Sequence, residues 1–196
     1  MDVLISGAGV AGPALAFWLT RHGISATVVE RAPALRTGGQ AVDFRGEAHL
    51  SVLRRMGVLD AIRAARTTPR DMVFRGTDGR ERARLPAAFT AGEVEVLRGD
   101  LSRILYETSV SDAEYVFGDW ITSLHDDGTG VDVTFAHGRP RRFDFVVGAD
   151  GMRSGVRQLV FPGYRPKFGG YYFAIWPSDG DDRDMVCAPG VLTAPG

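Results

Sequence analysis

The sequence predicts an α/β fold, with a parallel sheet flanked by helices and an antiparallel β-meander inserted into it. Three observations support this prediction. A strand, a glycine turn, a helix and a second strand follow one another within the first 30 residues. Short β-rich runs with Asp-Gly or His-Gly turns lie between residues 114 and 147. The 196-residue chain is 44% hydrophobic and 24% charged, the ordinary balance of a globular domain.

The first 30 residues read as a βαβ unit. The apolar run from Asp2 to Ser6 is stopped by glycine, as in a buried parallel strand. From Val10 to His22 apolar residues recur at helical spacing, with Pro13 tolerable in the first turn and Gly23 after the end. The β-branched run from Ser25 to Glu30 is the second strand. This order is Rossmann-like.

The turn between the first strand and the helix is a G-x-G-x-x-G motif. Gly7 permits the tight turn, Gly9 lets the backbone approach a pyrophosphate, and Gly12 lets the helix pack against the strand. The helix start at Val10 and Ala11 then presents free N–H groups and a positive dipole end to the anion. The motif therefore predicts a phosphate-binding turn.

Glu30 is the second feature expected of a dinucleotide-binding site. Seventeen residues separate it from Gly12, and it closes the second strand. A carboxylate there is placed to accept hydrogen bonds from an adenosine ribose 2′-hydroxyl, and it disfavours a 2′-phosphate because like charges repel. The expected ligand is FAD or NAD rather than NADP. The alternative is a glycine-rich turn with a solvated glutamate at a strand end.

The remaining elements follow from periodicity and turn residues. Helices are predicted over Glu47 to Met56, Val58 to Arg66, Asp100 to Glu107 and Ser154 to Val160. A hairpin is predicted from Met72 to Phe74 with Glu81 to Leu85, and a meander from Glu114 to Phe117, Ile121 to Leu124, Val131 to Phe135 and Arg142 to Val147. Strand-like patches follow at Tyr171 to Trp176 and Met185 to Cys187.

A second motif runs from Asp144 to Arg157. A buried strand enters Gly148 and Ala149, and Asp150 then presents a carboxylate at the strand's carboxyl end, where open α/β sheets bind ligands. Ser154 can cap the helix that follows. Taken alone, the Asp-Gly pair is also compatible with a simple turn before a helix.

With both motifs, the chain resembles the class A flavoprotein aromatic hydroxylases, the p-hydroxybenzoate-hydroxylase-like FAD monooxygenases, over residues 1 to about 175. That family carries the glycine motif with an acid at this distance, and a D-G-x-(charged)-S-x-(apolar)-R motif that Asp150 to Arg157 match. The resemblance implies a Rossmann-like, glutathione-reductase-type FAD-binding fold. It implies an FAD-binding domain over residues 1–160, with β-rich segments at about 70–85 and 113–147, and a substrate-binding sheet only begun in 161–196.

The resemblance also implies roles for particular residues. The FAD pyrophosphate would face Gly7, Gly9, Val10, Ala11 and Gly12. The adenosine ribose would face Glu30, and Arg31 would lie against the adenine or its ribose. Arg98 would reach the flavin chain, and Asp150 would lie near the pyrophosphate and ribityl chain. Asp43 and Arg45 are candidates beside the flavin ring, where an ordinary loop fits equally well. His49 is expected on a helix surface, and no catalytic residue is assigned.

The implied function is an FAD-dependent monooxygenase of aromatic or polyketide-like small molecules, with tightly bound non-covalent FAD and NAD(P)H as transient reductant. The family's second Gly-Asp motif has no counterpart, since Gly99-Asp100 comes too early and Gly180-Asp181 lies in a loop-like acidic run. The chain is therefore expected to encode the N-terminal half, with a second chain completing the flavin and substrate pocket. The alternatives are a non-catalytic FAD-binding fragment acting as a partner-binding module, and another FAD oxidoreductase such as a halogenase or lipid reductase.

Composition excludes other classes. A net charge of −1 argues against a dedicated nucleic-acid binder. The single cysteine, Cys187, excludes an internal disulfide framework, and the four histidines lack metal-ligand spacing, so no metal is expected. No run approaches the roughly 18 apolar residues of a membrane span. The stretch from Val3 to Leu19 lacks a cationic start and is broken by glycines, unlike a signal peptide. A cytoplasmic protein is expected.

Overall fold

The computed structural model describes residues 1–170 and 185–187. The elements follow in the order β1 (Asp2–Ser6), α1 (Ala11–Arg21), β2 (Ser25–Glu30), β3 (Ala41–Phe44), α2 (Gly46–Met56), α3 (Leu59–Ala64), β4 (Met72–Arg75), β5 (Glu81–Leu85), α4 (Ala87–Thr90), β6 (Val94–Leu97), α5 (Arg98–Ser109), β7 (Glu114–Phe117), β8 (Ile121–Asp126), β9 (Val131–Phe135), β10 (Arg141–Phe143), β11 (Phe145–Gly148), α6 (Gly155–Val160) and β12 (Met185–Cys187).

A four-stranded parallel sheet organises the chain, with strand order β11-β1-β2-β7. Its central strand β1 is a continuous apolar run because both faces are covered, and Leu4 and Ile5 are both 0% exposed. The predicted α/β fold is confirmed. Because all four strands are parallel, their carboxyl ends meet at one edge, next to Ser6, Glu30, Phe117 and Gly148.

Two strands predicted in the meander belong instead to this parallel sheet. The run from Glu114 to Phe117 pairs with β2, and the run from Arg142 to Val147 is divided between β10 and β11 at Asp144. Asp144 causes the division, since its N–H donates to the Asp2 carbonyl at 2.9 Å and its Oδ2 accepts from the Asp2 N–H at 2.6 Å. The meander itself is the antiparallel sheet β10-β9-β8.

The two faces of the parallel sheet are covered differently. Helices pack on one face, where Ala16 of α1 joins Val3, Ile5 and Val28 of the sheet in one buried cluster. A separate cluster that includes Phe17, Leu53 and Leu101 lies among the helices. The meander and α6 pack on the other face, where Leu4 and Val29 meet a third cluster: Ile121, Val133, Phe143 and Val156. The result is a three-layer arrangement with the sheet in the middle.

Two smaller sheets complete the described structure. The predicted hairpin is confirmed as the antiparallel pair β4–β5, and β12 pairs parallel with β4. Residues on both sides of the predicted boundary at 160 thus share one sheet, while the boundary itself stays a prediction. The antiparallel pair β3–β6 was not predicted. The predicted strand from Tyr171 to Trp176 lies outside the described residues. Among the described helices, none has both the length and the apolar character needed to cross a bilayer.

Candidate functional site

The glycine turn leaves β1 and lies directly against the segment that follows β11. Gly7 has a φ of 110°, and its N–H donates to the Val29 carbonyl at 2.7 Å. A Cβ placed on Gly7 would be 2.7 Å from the Ala149 carbonyl oxygen and 2.9 Å from the Asp150 Cα. Only glycine allows this approach. The two sequence motifs therefore meet at the carboxyl edge of the parallel sheet.

The first turn of α1 packs against the same loop. A Cβ on the buried Gly12 would lie 1.9 Å from the Gly7 carbonyl oxygen, which no side chain permits. Val10 is the N-cap residue, and no side chain caps this end of the helix. The first N–H groups of a helix have no intrahelical partners, so those after Gly9 and up to Gly12 face outward, available to an anion.

Glu30 joins the glycine turn to the tip of β2. Its Oε2 accepts from the Ala8 N–H at 2.8 Å, and its Oε1 accepts from the Ala32 N–H at 2.9 Å. Each carboxylate oxygen has a second lone pair, so a ribose hydroxyl can still donate to the half-buried carboxylate. Glu30 therefore shapes the turn as well as offering the predicted acceptor. The spacing between motif and acid gave no sign of this first role.

Arg98 lies over the glycine turn. It is the first residue of α5, so this helix begins two residues before the predicted start at Asp100. Its Nη2 lies 3.7 Å from the position that a Cβ on Gly9 would take. Within residues 1–170 and 185–187, no carboxylate forms an ion pair with Arg98. An unpaired cation beside free helix N–H groups is a favourable environment for phosphate.

The loop that precedes β3 holds the start of α5, including Arg98, in place. The Arg98 N–H donates to the Gln40 carbonyl at 3.0 Å, and the Gly99 N–H donates to the Gly38 carbonyl at 2.9 Å. A Cβ on Gly39 would lie 3.5 Å from the Arg98 Cβ. The loop from Gly38 to Gln40 leads into β3, which carries the flavin-ring candidate Asp43, and it lies next to the arginine predicted to reach the flavin chain.

Asp150 uses only one of its two carboxylate oxygens within the described structure. Oδ2 accepts from the Gly155 N–H at 2.8 Å and the Val156 N–H at 3.2 Å, which holds the turn before α6. Ser154 caps that helix as predicted, accepting from the Arg157 N–H at 3.0 Å. Oδ1 of Asp150 is buried and has no hydrogen-bond partner in the described part of the chain. A buried carboxylate oxygen normally accepts a hydrogen bond, so a donor is expected at this atom.

The remaining candidates have structural partners. Asp43 accepts from the Gly92 N–H at 2.9 Å and lies 3.7 Å from the Arg45 guanidinium, so the two residues fix loops around β3. His49 is exposed on α2, as predicted, and its Nδ1 accepts from the Arg45 N–H at 3.0 Å. Across the described residues, no three potential metal ligands cluster.

Arg31 follows the last residue of β2 and contacts Trp120. The sequence did not predict this contact. The guanidinium carbon of Arg31 lies 4.9 Å from the centroid of the Trp120 ring. Beside this pair, the buried Asp119 accepts from the N–H groups of Trp120 at 2.9 Å, His137 at 3.0 Å and Gly138 at 2.9 Å. Asp119 thus ties the turn after β7 to the turn after β9.

Asp119 makes the stability of this corner depend on pH. Burial alone would raise the pKa of its carboxyl, but the N–H groups of Gly138, Trp120 and His137 lower it more, so the net pKa lies below the ordinary value. A lowered pKa in the folded state stabilises above the unfolded value near 3.9, and this contribution disappears as the pH falls through the folded pKa.

We expect the free energy of unfolding of Asp119→Asn to be about 2–3 kcal/mol below wild type at pH 7, because the charged acceptor is lost. The difference should begin to shrink below about pH 4 and disappear as the pH falls through the lowered folded pKa, where the wild-type carboxyl becomes neutral as well. Urea unfolding of both proteins between pH 7 and pH 3 measures this. A difference that stays constant with pH contradicts the charged role of Asp119.

A cavity of about 870 Å³ lies away from the glycine turn. It opens between α6, the meander and the amino-terminal side of β11, where Phe145, Val156 and Val160 line it. The glycine turn, Glu30 and Asp150 lie at the opposite, carboxyl edge of the sheet. Within the described residues, the unpaired Arg98 guanidinium and the first N–H groups of α1 lie at the glycine turn, so this turn, and not the cavity, is the candidate ligand site.

The fold and this site define a dinucleotide-binding α/β protein: a glycine turn, a helix start, an acid at the second strand tip and an unpaired arginine share one sheet edge. A phosphate group suits the helix start and the Arg98 guanidinium, and a ribose suits the Glu30 carboxylate. Among the described residues, the Arg98 Nη2 is the one atom within 4 Å of the position that a Cβ on Gly9 would take. The Asp150 Cα lies 2.9 Å from the position that a Cβ on Gly7 would take, so Asp150 lies at the same sheet edge as the glycine turn.

The chain belongs to the FAD binding domain family, whose pattern matches residues 1–175. It is 48% identical over 165 residues to an uncharacterized protein of Mycobacterium tuberculosis, covering 81% of this chain and 44% of that protein. It is 40% identical over 201 residues to the flavin-dependent monooxygenase eupH of a Phoma species, covering 93% and 46%. The chain spans about half the length of the curated relatives it matches.

Solved structures of flavin-dependent enzymes are also similar to this chain. The crystal structure of the tetracycline destructase Tet(51) superposes with a TM-score of 0.70 at 36% identity, covering 82% of this chain and 42% of that one. The expected glutathione-reductase-type arrangement is consistent with this similarity, and FAD is the cofactor of the family. The predicted resemblance to FAD-dependent monooxygenases is confirmed at the level of the family.

Proposed function

We propose that this chain forms the FAD-binding part of an FAD-dependent monooxygenase that hydroxylates aromatic or polyketide-like small molecules, with NAD(P)H and O₂. The observation that carries the proposal is the contact between the glycine turn at Gly7 and the segment at Ala149 and Asp150. The similarity to a flavin-dependent monooxygenase and to a tetracycline destructase supports both the reaction and a multi-ring substrate. We place the protein in the cytoplasm, where NAD(P)H is available.

Each residue of the site has a distinct role in this proposal. The N–H groups at the start of α1 bind the diphosphate, and the Arg98 guanidinium neutralises its charge. Glu30 accepts from the adenosine ribose, Arg31 lies against the adenine, and Asp150 lies near the pyrophosphate and ribityl chain. When bound, FAD supplies the redox and oxygen chemistry, and the chain binds, orients and shields it from water.

We expect Glu30→Ala to weaken FAD binding by about 1–3 kcal/mol, roughly 5- to 150-fold, because it removes a ribose acceptor and frees the Ala8 and Ala32 N–H groups. Fluorescence titration with FAD measures the affinity. Glu107→Ala is the matched control, since Glu107 is an exposed glutamate that pairs with Arg103 on α5. Equal affinities of Glu30→Ala and wild type would remove Glu30 from the site.

The proposal as a whole is tested on the purified 196-residue chain. Addition of FAD should give flavin absorbance bands that stay with the protein through gel filtration, and multi-ring aromatic compounds should then stimulate O₂-dependent oxidation of NADPH or NADH. A chain that retains no FAD at saturating concentration contradicts the assignment. A chain that retains FAD but oxidises no reductant favours the non-catalytic alternative.

A second candidate function is recognition of another polypeptide that completes the pocket. The observation that favours it is the edge of β11, which pairs only with β1 within the described residues and carries Phe145 (57% exposed). Val160 at the end of α6 lines the same cavity as Phe145, and Val160 and the Phe161 that follows it are 52% and 63% exposed. An open edge surrounded by apolar side chains suits pairing with an added strand. Curated relatives are about twice as long, so a segment equivalent to their unmatched half is the proposed occupant.

Amide hydrogen exchange and native mass spectrometry test this second function. Slow exchange of the β11 amides together with a stoichiometric second polypeptide supports it. Fast exchange at β11 in a monomer that binds FAD and oxidises NAD(P)H contradicts it, because the pocket would then be complete without a partner.

A further inference from the structure

The turn after β7 is fastened to the tip of β2. The Gly118 N–H donates to the Ala32 carbonyl at 3.0 Å, and the Asp119 N–H donates to the Glu30 carbonyl at 3.2 Å. Trp120 follows directly in the chain. The backbone of Trp120 is therefore fixed relative to Glu30, the residue that accepts from the adenosine ribose in the proposed function.

The backbone of Trp120 is also fixed from the other side. Asp119 is 4% exposed and accepts from the N–H groups of Trp120, His137 and Gly138. The His137 ring lies edge-on to the Trp120 indole, with ring centroids 5.2 Å apart and an interplanar angle of 86°. An aromatic ring held by its backbone and by a neighbouring ring is a rigid surface.

Arg31 depends on that surface for its position. Its guanidinium is exposed, and among the described residues no carboxylate forms an ion pair with it. The contact with the Trp120 ring, at 4.9 Å, is the one interaction that the described structure gives its charged end. A long arginine side chain without such a contact would sample many rotamers in solvent.

We infer that Trp120 is a positioning residue that holds the Arg31 guanidinium at the adenosine end of the site, and so favours an adenine dinucleotide over a flavin mononucleotide. This inference rests on the proposed function, because it takes FAD as the ligand. The chemistry is that of an arginine plane, fixed on an indole, facing a purine base or its ribose. Trp120 acts through Arg31 and needs no contact with the ligand.

The experiment measures the affinities of the full chain for FAD, ADP and FMN in wild type, Trp120→Leu, Trp120→Phe, Arg31→Ala and the Arg31→Ala/Trp120→Leu double variant. We expect Trp120→Leu to weaken FAD and ADP binding about two- to fivefold, the range of an exposed cation–π contact, and to leave FMN binding unchanged. Trp120→Phe should retain most of the affinity, because a benzene ring also attracts a cation. The double variant should bind no more weakly than Arg31→Ala alone.

Trp18→Leu is the matched control. Trp18 also contacts an arginine, with the Arg55 guanidinium carbon 5.1 Å from its ring centroid, but it lies in the helical layer. Its replacement should leave the FAD and ADP affinities unchanged, and circular dichroism checks that each variant is folded.

The outcomes separate this inference from the proposed function. Wild-type ADP affinity in Trp120→Leu, or equal weakening of FMN and FAD, overturns the positioning role while leaving FAD binding intact. Losses in the double variant equal to the sum of the two single losses also overturn it. A wild-type chain that binds neither FAD nor ADP contradicts the proposed function, and this inference with it.

Discussion

Replacing Gly12 by alanine is expected to destabilise the fold by at least about 3 kcal/mol and to abolish FAD binding. The added Cβ would lie 1.9 Å from the Gly7 carbonyl oxygen and 3.5 Å from the Ile5 Cγ2. Overpacking costs about 1–3 kcal/mol when side chains can adjust, and more when they cannot. Gly7 cannot adjust, since its N–H is bonded to Val29 and the backbone at Ala149 blocks its other side.

Urea unfolding and FAD titration of Gly12→Ala measure the two effects. Gly163→Ala is the control, because a Cβ on Gly163 would meet nothing within 4 Å. It should leave both the unfolding midpoint and the FAD affinity unchanged. A Gly12→Ala variant with wild-type stability would mean that α1 does not start against the glycine turn, and the geometry of the whole site would be wrong.

Elements that depend on neighbouring residues were well predicted from the sequence. The bounds of β1, β2 and β9 and the second strand of the hairpin match the predictions, because continuous apolar runs or strict alternation end at turn residues. The cap at Ser154 was also predicted correctly, since capping is a local interaction.

Strand partners could not be read from local pattern. The run from Glu114 to Phe117 comes directly before the meander strands in the chain, yet it completes the parallel sheet beside β2. The break at Asp144 depends on its bonds to Asp2, at the other end of the sequence. The β3–β6 pair joins two four-residue strands, and its buried Val94 and Val96 gave too short a signal to identify.

In the candidate site, too, local features could be predicted from the sequence and tertiary contacts could not. The glycine motif and Glu30 could be predicted together as site candidates because their spacing is fixed by one βαβ unit. The bond from the Ala8 N–H to Glu30 and the contact of Arg31 with Trp120 are tertiary, and no sequence spacing indicates them. Asp150 was predicted as a ligand-facing acid, and its use of Oδ2 to hold the turn before α6 was not foreseen.

Replacing Gly9 by alanine is expected to weaken FAD binding about 5- to 150-fold while leaving the stability of the free chain unchanged. In contrast to Gly12, the nearest atom to a Cβ on Gly9 is the Arg98 Nη2, at 3.7 Å, an ordinary van der Waals contact. The fold therefore accepts the methyl group. The diphosphate does not, because it must approach the backbone at this position to reach the free N–H groups of α1.

The comparison of Gly9→Ala with Gly12→Ala isolates binding from folding within one motif. Unfolding midpoints in urea without ligand should match wild type for Gly9→Ala and fall for Gly12→Ala. Adding FAD should then raise the wild-type midpoint, as any ligand specific to the folded state does, and raise that of Gly9→Ala far less. If FAD stabilises Gly9→Ala as much as wild type, the diphosphate does not lie on the glycine turn. Arg98 and the helix start would then be surface features without a ligand.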